Sequence, residues 1–222
     1  MVINMLPHYI PLMLNCTGRR CVVVGGGEVA ARKAAALIAA SADTIVISPS
    51  LAPHLMACYE KGQMKWNNRN YREGDLKGAY LVYAATDKEE VNAAVVKEAE
   101  GWGIPVNDTS DGMRGTFITP ASFRRGGLIV AVSTSGAGPL VSRKLCREVD
   151  AAFGDHYEAY IDFLSRVRGQ IKDRVHDAER RKSLYRSLAE MDILAQIREG
   201  CFRPWSDDEL ASWIEAEQEE RE

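Results

Sequence analysis

Short apolar segments alternate with helical patterns through the first half of the chain. The apolar segments are rich in Val, Ile and Leu, which is typical of buried strands. They lie at Cys21–Val24, Thr44–Ser48, Ala79–Ala85 and Ile104–Asn107. Helical patterns follow the first three segments, so the order of elements predicts a parallel sheet covered on both faces. In the third of these helices, the residues expected to face inward are Val91, Ala94, Val95 and Ala99.

The pattern changes after residue 112. Thr116–Thr119 and Leu128–Ser133 predict two strands, separated by a turn at 124–127. A helix is then predicted over Leu140–Phe153, directly after a second glycine-rich stretch. This part of the chain therefore predicts a small α+β segment rather than a continuation of the parallel sheet.

The remaining residues have apolar side chains at three- and four-residue steps, which predicts helices throughout. The stretch Ser206–Glu209 resembles a capping box that begins the last helix. We therefore expect an α/β fold with a parallel sheet, a small α+β segment and a helical domain, over residues 1–112, 113–150 and 151–222, respectively.

Composition and charge exclude several classes of protein. Hydrophobic residues make up 46% of the chain and charged residues 27%, which is ordinary for a water-soluble domain. The longest apolar runs are shorter than the roughly 20 residues that span a bilayer, so we expect no membrane segment. The N-terminus lacks a basic region and a cleavage site, so we expect no signal peptide. The net charge of −3 argues against a general nucleic-acid-binding protein.

The cysteines and histidines are dispersed. The 5 cysteines and 4 histidines form no C-x-x-C pair and no cluster with the spacing of metal ligands. We therefore expect no metal site and no disulfide framework. Reduced thiols are typical of a cytoplasmic protein, which is the localisation that we expect.

A glycine-rich turn joins the first predicted strand to the first helix. Residues 25–30, GGGEVA, fit the pattern G-x-G-x-x-A. Gly25 permits a tight turn, Gly27 lets the backbone approach a pyrophosphate, and Ala30 lets the helix pack closely. The N-terminus of the helix offers unpaired N–H groups to an anion. This context favours a Rossmann-like dinucleotide site, although a glycine turn that only packs tightly would have the same sequence.

The ends of the next strands predict the rest of the cofactor site. An acidic residue usually binds the ribose hydroxyls at the end of the second strand, but here Ser48-Pro49-Ser50 occupies that place. Without a carboxylate a 2′-phosphate is not repelled, so both NAD and NADP fit this sequence. Thr86 and Asp87 follow the third strand, where they could border a nicotinamide ribose or cap the next helix. The expected cofactor contacts are Gly25, Gly27, Glu28, Val29, Ser48, Pro49, Thr86 and Asp87.

Several ordered motifs resemble one known family. They are GGGEVAARK at 25–33, AATD at 84–87 before a helix with Val91-Asn92, Val106-Asn107, F-x-x-P-A at 117–121, and VSTSGAGP at 132–139 before a helix with Arg143 and Arg147. From about residue 9 to residue 150 the chain is similar to the precorrin-2 dehydrogenase / siroheme synthase (sirohydrochlorin ferrochelatase) family, in the form without a methyltransferase domain. The resemblance implies a Rossmann domain, a middle segment that builds a homodimer, and a helical domain.

The resemblance also implies an activity. The family uses NAD to oxidise precorrin-2 to sirohydrochlorin, and some members then insert Fe²⁺. An aspartate three positions beyond the Val-Asn dipeptide is the proposed base in the family. Here Ser110 occupies that position, between Asp108 and Asp111. We favour Asp111 over Asp108 as the base, which requires a one-residue shift in the loop; alternatively both are turn-forming residues. The serine at position 110 weakens the expectation of Fe²⁺ insertion more than the expectation of dehydrogenation.

A tetrapyrrole with eight carboxylates would require cations and hydrogen-bond donors. The expected substrate contacts are Arg114, Ser133, Ser135, Gly136 and Arg143. The alternatives are that the arginines are solvated and that the hydroxyls cap a helix. A nucleotide-sensing module without catalysis is the competing function, because a Rossmann domain alone does not define an activity. A sensor would not need the paired arginines and the second glycine-rich helix start in 113–150. A chelatase without a redox role is a third interpretation, which the intact glycine turn argues against.

Overall fold

The computed structural model describes residues 8–135 and 138–219. The described chain forms two compact units, one extending to Thr119 and the other beginning at Pro120.

The first unit is built on a parallel sheet of five strands in the order β3-β2-β1-β4-β5. Its strands are β1 (Arg20–Val24), β2 (Asp43–Ile47), β3 (Lys65–Asn67), β4 (Leu81–Ala84) and β5 (Val106–Asp108). Its helices are α1 (Glu28–Ala39), α2 (Pro53–Glu60) and α3 (Glu89–Gly101). The predicted α/β class and the parallel sheet are therefore confirmed. The strand β3 was not predicted, because the sequence Lys-Trp-Asn has no apolar run.

Both faces of this sheet are buried. Along β1, Val23 packs in the apolar cluster that includes Ala34 and Leu37 of α1. The neighbouring Val22 packs in the opposite cluster, which contains Val95 of α3. Successive side chains of a strand point to opposite faces, so a strand covered on both sides must be apolar throughout. This explains why the central strands contain continuous apolar runs.

One helix of this unit differs from the prediction. In α3 the buried residues are Asn92, Val95, Val96 and Ala99. Ala94, which was expected to face inward, is exposed. The inward face therefore includes a fully buried amide side chain, which hydrophobic periodicity cannot predict.

The second unit combines a β-hairpin with helices. The hairpin strands are β6 (Ala121–Arg125) and β7 (Leu128–Val132), which pair antiparallel. The helices are α4 (Pro139–Ala152), α5 (His156–Arg174), α6 (Ala178–Glu190), α7 (Ile193–Arg198) and α8 (Asp207–Glu219). The last four share an apolar core that includes Val167 and Ile171, both 0% exposed. The predicted helical region after the hairpin is confirmed.

The predicted strand over Thr116–Thr119 is wrong. These residues are irregular, and they are fixed beside β5 by hydrogen bonds from Thr116 N to Val106 O and from Asn107 Nδ2 to Phe117 O. The strand that pairs with β7 begins later, at Ala121, and extends through both arginines that were predicted to form the turn. The backbone partners, rather than β propensity, decide which segment is a strand here.

The predicted capping box is confirmed. Ser206 N donates to Glu209 Oε2 over 2.7 Å, and Glu209 N donates to Ser206 Oγ over 3.2 Å. These reciprocal bonds satisfy donors at the beginning of α8 that have no partner within the helix.

We predict that Leu37→Ala lowers the free energy of unfolding by about 2–5 kcal/mol, because truncating a buried leucine loses apolar burial and leaves a cavity. Leu37 is 4% exposed in the core beneath α1, and alanine preserves the helix propensity. Urea denaturation followed by circular dichroism measures the change.

The matched control is Leu12→Ala, since Leu12 is 69% exposed. It is expected to change the unfolding free energy by less than about 0.5 kcal/mol. Equal effects of the two substitutions would contradict this description of the core.

Candidate functional site

A cavity of about 1050 Å³ opens at the carboxyl edge of the parallel sheet. Its walls come from the loops that follow β1, β2, β4 and β5 and from the connection between β3 and β4. The lining residues include Gly25–Val29, Ser48–Ala52, Asn70, Tyr71, Ala85–Lys88, Glu90 and Thr109. All eight residues expected to contact a cofactor lie in this wall. Ligands of open parallel sheets bind at this edge.

The three glycines of the turn have different neighbours. Gly25 has a φ of 128°, and a Cβ there would lie 2.1 Å from Ala85 O. A Cβ on Gly26 would lie 1.9 Å from Ser50 O. By contrast, a Cβ on Gly27 would meet no protein atom within 4 Å. Tight packing therefore explains the first two glycines but not the third, which borders the cavity.

The beginning of α1 is suited to an anion. Gly27 occupies the N-cap position and makes no side-chain capping bond. The first N–H groups of a helix have no acceptor within the helix and carry a partial positive charge. Because the open side of Gly27 lets a ligand approach these groups closely, the turn fits the pyrophosphate of a dinucleotide.

The wall after β2 contains no carboxylate. Ser48 is 7% exposed, and its carbonyl accepts a hydrogen bond from Trp66 Nε1 over 2.9 Å. Its N–H donates to Asn67 O over 3.2 Å. These bonds fix the backbone that leads into Pro49. A ribose at this position would meet the Ser48-Pro49 backbone and hydroxyl groups rather than an acidic side chain.

The connection between β3 and β4 adds two wall residues that the sequence analysis missed, Asn70 and Tyr71. Arg69 anchors this connection by two bonds of 2.7 Å to the Asp75 carboxylate. The hydrogen bond with Arg69 lowers the pKa of Asp75. Burial and the Glu98 carboxylate raise the pKa of Tyr71, whose hydroxyl donates to Glu98. Only recognition of the short strand β3 could have indicated this wall.

Thr86 and Asp87 lie in the wall after β4. The N-cap residue of α3 is Lys88, and no side chain caps this helix. The Thr86 hydroxyl instead lies 2.7 Å from Asn92 Oδ1 and accepts from Lys88 N over 3.2 Å. Thr86 therefore orders the loop at the cavity, although it does not occupy the N-cap position that the capping alternative required.

The two candidate bases differ in exposure. The Asp108 side chain is 0% exposed, and its Oδ1 accepts from Ser110 N and Ser110 Oγ over 2.9 and 2.6 Å. The Asp111 side chain is 44% exposed, and its Oδ1 accepts from Met113 N over 2.9 Å. Both carboxylates therefore make the local turn bonds of the alternative interpretation. Neither lines the cavity, whereas Thr109 between them does.

Arg114 connects the acidic groups of this region. Its Nε lies 3.1 Å from Asp108 Oδ2 and 3.5 Å from Asp111 Oδ2. Its NH1 lies 3.1 Å from Glu89 Oε1. The Arg114 guanidinium is therefore surrounded by carboxylates of its own chain in this structure.

The other expected substrate contacts belong to the second unit. Ser133 Oγ accepts from Ser135 N over 3.2 Å, and Arg143 Nε donates to Pro139 O over 3.2 Å. Ser135 has a φ of 51°. Gly136 lies outside the described residues. The first contact lies in the turn after β7, and the second lies within the first turn of α4.

Within residues 8–135 and 138–219, no group of three or more His, Cys, Asp and Glu side chains could hold a metal ion. No helix in the same ranges is long and apolar enough to cross a membrane. Burial and the neighbouring Cys16 raise the pKa of Cys21 to about 12, which keeps this side chain in its thiol form.

Comparisons with known proteins agree with this site. A family model described as "Putative NAD(P)-binding" matches residues 12–121. The chain is 36% identical over 188 residues to siroheme synthase 1 of Aeromonas salmonicida, covering 85% of this chain and 40% of that protein. It is 35% identical over 193 residues to siroheme synthase of Chromobacterium violaceum, covering 87% and 41%. The chain thus spans about two fifths of the length of these relatives.

A solved structure is similar over nearly the whole chain. It is titled SirC, precorrin-2 dehydrogenase, and it superposes with a TM-score of 0.71 at 26% identity. The match covers 95% of this chain and 99% of that one. The prediction of a nicotinamide dinucleotide as the cofactor is confirmed by these comparisons.

We predict that Gly27→Leu weakens NAD⁺ binding at least about tenfold, because the side chain would enter the space left for the pyrophosphate. The φ of −84° at Gly27 suits any residue, so the fold is expected to persist. Isothermal titration calorimetry measures the affinity. Gly101→Leu is the control, since a Cβ there also meets no atom within 4 Å but lies away from the cavity. Unchanged affinity in Gly27→Leu would exclude the turn as the phosphate site.

The glycine turn, the sheet and the comparisons agree with one another. The motifs from GGGEVAARK at 25–33 to F-x-x-P-A at 117–121 lie within residues 12–121, which the NAD(P)-binding model matches. The observed sheet order and the cavity at the glycine turn accord with the NAD(P)-binding model over residues 12–121. The chain is therefore similar to siroheme synthases over 85–87% of its length and to a precorrin-2 dehydrogenase structure over 95% of its length.

Proposed function

We propose that this chain catalyses the NAD-dependent dehydrogenation of precorrin-2 to sirohydrochlorin in siroheme biosynthesis. The observation that carries the proposal is the cavity above Gly27, where the backbone and the N-terminus of α1 are open to a diphosphate. The names of the relatives and of the similar solved structure supply the reaction. The resemblance supplies NAD as the acceptor.

The chain's own residues would orient the cofactor. Gly25, Gly27, Glu28 and Val29 would hold the pyrophosphate, and Ser48 with Pro49 would border the adenosine ribose. Thr86 and Asp87, next to the small residue Ala85 in the cavity wall, would border the nicotinamide ribose. When bound, the nicotinamide accepts a hydride from the substrate. The protein contributes the position of the reacting groups and the exclusion of water.

A base is also required, because the oxidation removes a proton together with the hydride. Asp111 is our proposed base, since its half-exposed carboxylate can meet a large substrate. Asp108 is the second candidate, but it is fully buried and pairs with Arg114. The same aspartate would remove pyrrole protons if Fe²⁺ is inserted as a second substrate.

Cations and hydroxyl groups would bind the carboxylates of the tetrapyrrole. We assign this role to Arg114, Ser133, Ser135, Gly136 and Arg143. Arg114 is 31% exposed as a side chain, so a substrate carboxylate could replace one of its present partners. The three-part division at residues 112 and 150 belongs to the same proposal, with the middle part carrying substrate contacts and the dimer interface.

A homodimer is the proposed assembly. Helix α4 carries exposed apolar side chains at Leu140, Val141 and Leu145, with exposed fractions of 75%, 49% and 40%. Exposed apolar side chains concentrated on one helix are typical of association surfaces. A second copy of the chain is the partner that the family resemblance implies.

We predict that the purified chain converts precorrin-2 to sirohydrochlorin with NAD⁺, and that Asp111→Asn lowers kcat about 100-fold or more, since a general base contributes roughly 10²–10⁴ in rate. Absorbance of sirohydrochlorin follows the reaction, with and without Fe²⁺. Asp173→Asn is the control, because Asp173 lies exposed on α5.

Normal turnover in Asp111→Asn would eliminate Asp111 as the base. If the wild-type chain bound NAD⁺ but produced no sirohydrochlorin, the proposed activity would be wrong and the nucleotide-sensing alternative favoured. Appearance of siroheme in the presence of Fe²⁺ would establish the second reaction, and its absence would limit the chain to dehydrogenation.

We further predict that the wild-type chain sediments as two copies of the 24.6 kDa monomer, and that the double variant Leu140→Asp, Leu145→Asp sediments as one. Charges on this surface would be desolvated in the dimer, which opposes association. Ile10→Asp, at a position that is 77% exposed in the first unit, should remain dimeric. A monomeric wild-type chain in analytical ultracentrifugation would contradict the assembly.

A further inference from the structure

Asn92 is the buried polar side chain of α3 that lies between the loops after β4 and β5. It is 0% exposed. Its Oδ1 accepts from Thr86 N over 3.1 Å and lies 2.7 Å from Thr86 Oγ1. Its Nδ2 donates to Thr86 O over 3.1 Å and to Ser110 Oγ over 3.2 Å. The amide therefore uses both donors and both acceptor positions available to it.

The direction of these bonds is fixed by their partners. Thr86 N–H can only donate and Thr86 C=O can only accept, so the orientation of the Asn92 amide follows from the backbone. Ser110 Oγ accepts from Asn92, and therefore its own proton is free to donate to Asp108 Oδ1 over 2.6 Å. A single chain of donors thus runs from α3 to the carboxylate of Asp108.

This series of hydrogen bonds joins two parts of the site. Thr86 lines the cavity after β4, and Thr109 lines it after β5. Thr109 lies between Asp108 and Ser110, the two residues that this series of hydrogen bonds reaches. The packing of α3 does not require the amide, because Val95, Val96 and Ala99 already supply its apolar contacts. An amide buried without partners would cost free energy, and here the partners that compensate it come from two different loops.

We propose that Asn92 is a positioning residue that holds the cofactor-side loop at Thr86 and the loop of the candidate bases in one arrangement. The inference rests on the proposed function in that it assigns this arrangement to the dehydrogenation. Asn92 itself touches neither cofactor nor substrate. It acts through the Thr86 backbone on cofactor binding and through Ser110 on Asp108. Asp108 in turn shares the Arg114 Nε with Asp111, over 3.1 and 3.5 Å.

The principal test is Asn92→Asp, which keeps the size of the side chain. Its second carboxylate oxygen would face Thr86 O and Ser110 Oγ, where the wild-type amide donates two hydrogen bonds. We expect NAD⁺ affinity, measured by calorimetry, to fall at least about tenfold, because the loss leaves the part-buried carbonyl of Thr86 without its Asn92 donor in the cavity wall. Turnover should fall as well, with a raised KM for NAD⁺ and a lowered kcat.

Ser110→Ala interrupts the series of hydrogen bonds at the residue between Asn92 and Asp108. It leaves all contacts between Asn92 and Thr86 in place, and it removes both the acceptor of Asn92 Nδ2 and the donor to Asp108 Oδ1. We expect NAD⁺ affinity within about twofold of the wild-type value and a kcat lowered at least about fivefold, which corresponds to the loss of one hydrogen bond. A residue with a merely structural role would not divide KM and kcat in this way.

Asn107→Asp is the matched control. Asn107 is 6% exposed, and its Nδ2 donates to Phe117 O over 2.9 Å, so the same substitution also removes a buried donor. At equal folded fraction, checked by circular dichroism, it should leave NAD⁺ affinity and kcat within about twofold of wild type. An equal loss in both Asn variants would reduce Asn92 to a stability role and overturn the inference.

The outcomes separate this inference from the proposed function. If Asn92→Asp binds NAD⁺ as the wild-type chain does, the positioning role is wrong even where precorrin-2 is oxidised. If the wild-type chain binds NAD⁺ without oxidising precorrin-2, the dehydrogenation is wrong, and a loss of NAD⁺ affinity in Asn92→Asp still supports the link to Thr86. If Asn92→Asp fails to fold, Ser110→Ala decides: a kcat equal to wild type overturns the link to the bases.

Discussion

The close approach of three backbone segments at the glycine turn is the constraint on which the cavity depends. Gly25 N donates to Ile47 O over 2.9 Å, and Gly26 O accepts from Ala52 N over 2.7 Å. These bonds leave no room for a Cβ against the carbonyls of Ala85 and Ser50. The ends of β1, β2 and β4 therefore form one fixed rim. Gly27, free of such contacts, faces the open space.

The same sheet determines where polar chemistry can lie. Val22, Val24 and Val82 are essentially unexposed, since helices cover both faces of their strands. Polar side chains inside these strands would lack hydrogen-bond partners and cost free energy. The groups that can meet a ligand are therefore restricted to the residues just beyond the strand ends, such as Ser48 and Thr86. Substitutions in these loops can change which ligand the site binds without disturbing the apolar core.

Sequence patterns predicted the parts of the fold that local chemistry determines. The glycine turn, the apolar strands and the capping box at Ser206 each follow from backbone or burial rules that act over a few residues. The strand β3 and the true position of β6 depend on pairing partners elsewhere in the chain. Asn92 could not be predicted as a link between loops, because its partner Ser110 lies 18 positions away and periodicity favoured Ala94 for the interior.

The loop after β5 illustrates why a motif offset alone does not identify a base. The carboxylate of Asp108 is buried, and such a charge is tolerated only when it is paired and hydrogen-bonded. Ser110 and Arg114 supply that compensation. Ser110 occupies the position where the resemblance implies an aspartate, and here its hydroxyl donates to the neighbouring Asp108 carboxylate. Oδ1 accepts hydrogen bonds from Ser110, whereas Oδ2 has the Arg114 ion pair and no hydrogen bond, so a substrate would have to displace Ser110 or Arg114 to reach Asp108. Asp111 lies one residue beyond the family position and keeps a half-exposed carboxylate, which is the physical basis for preferring it.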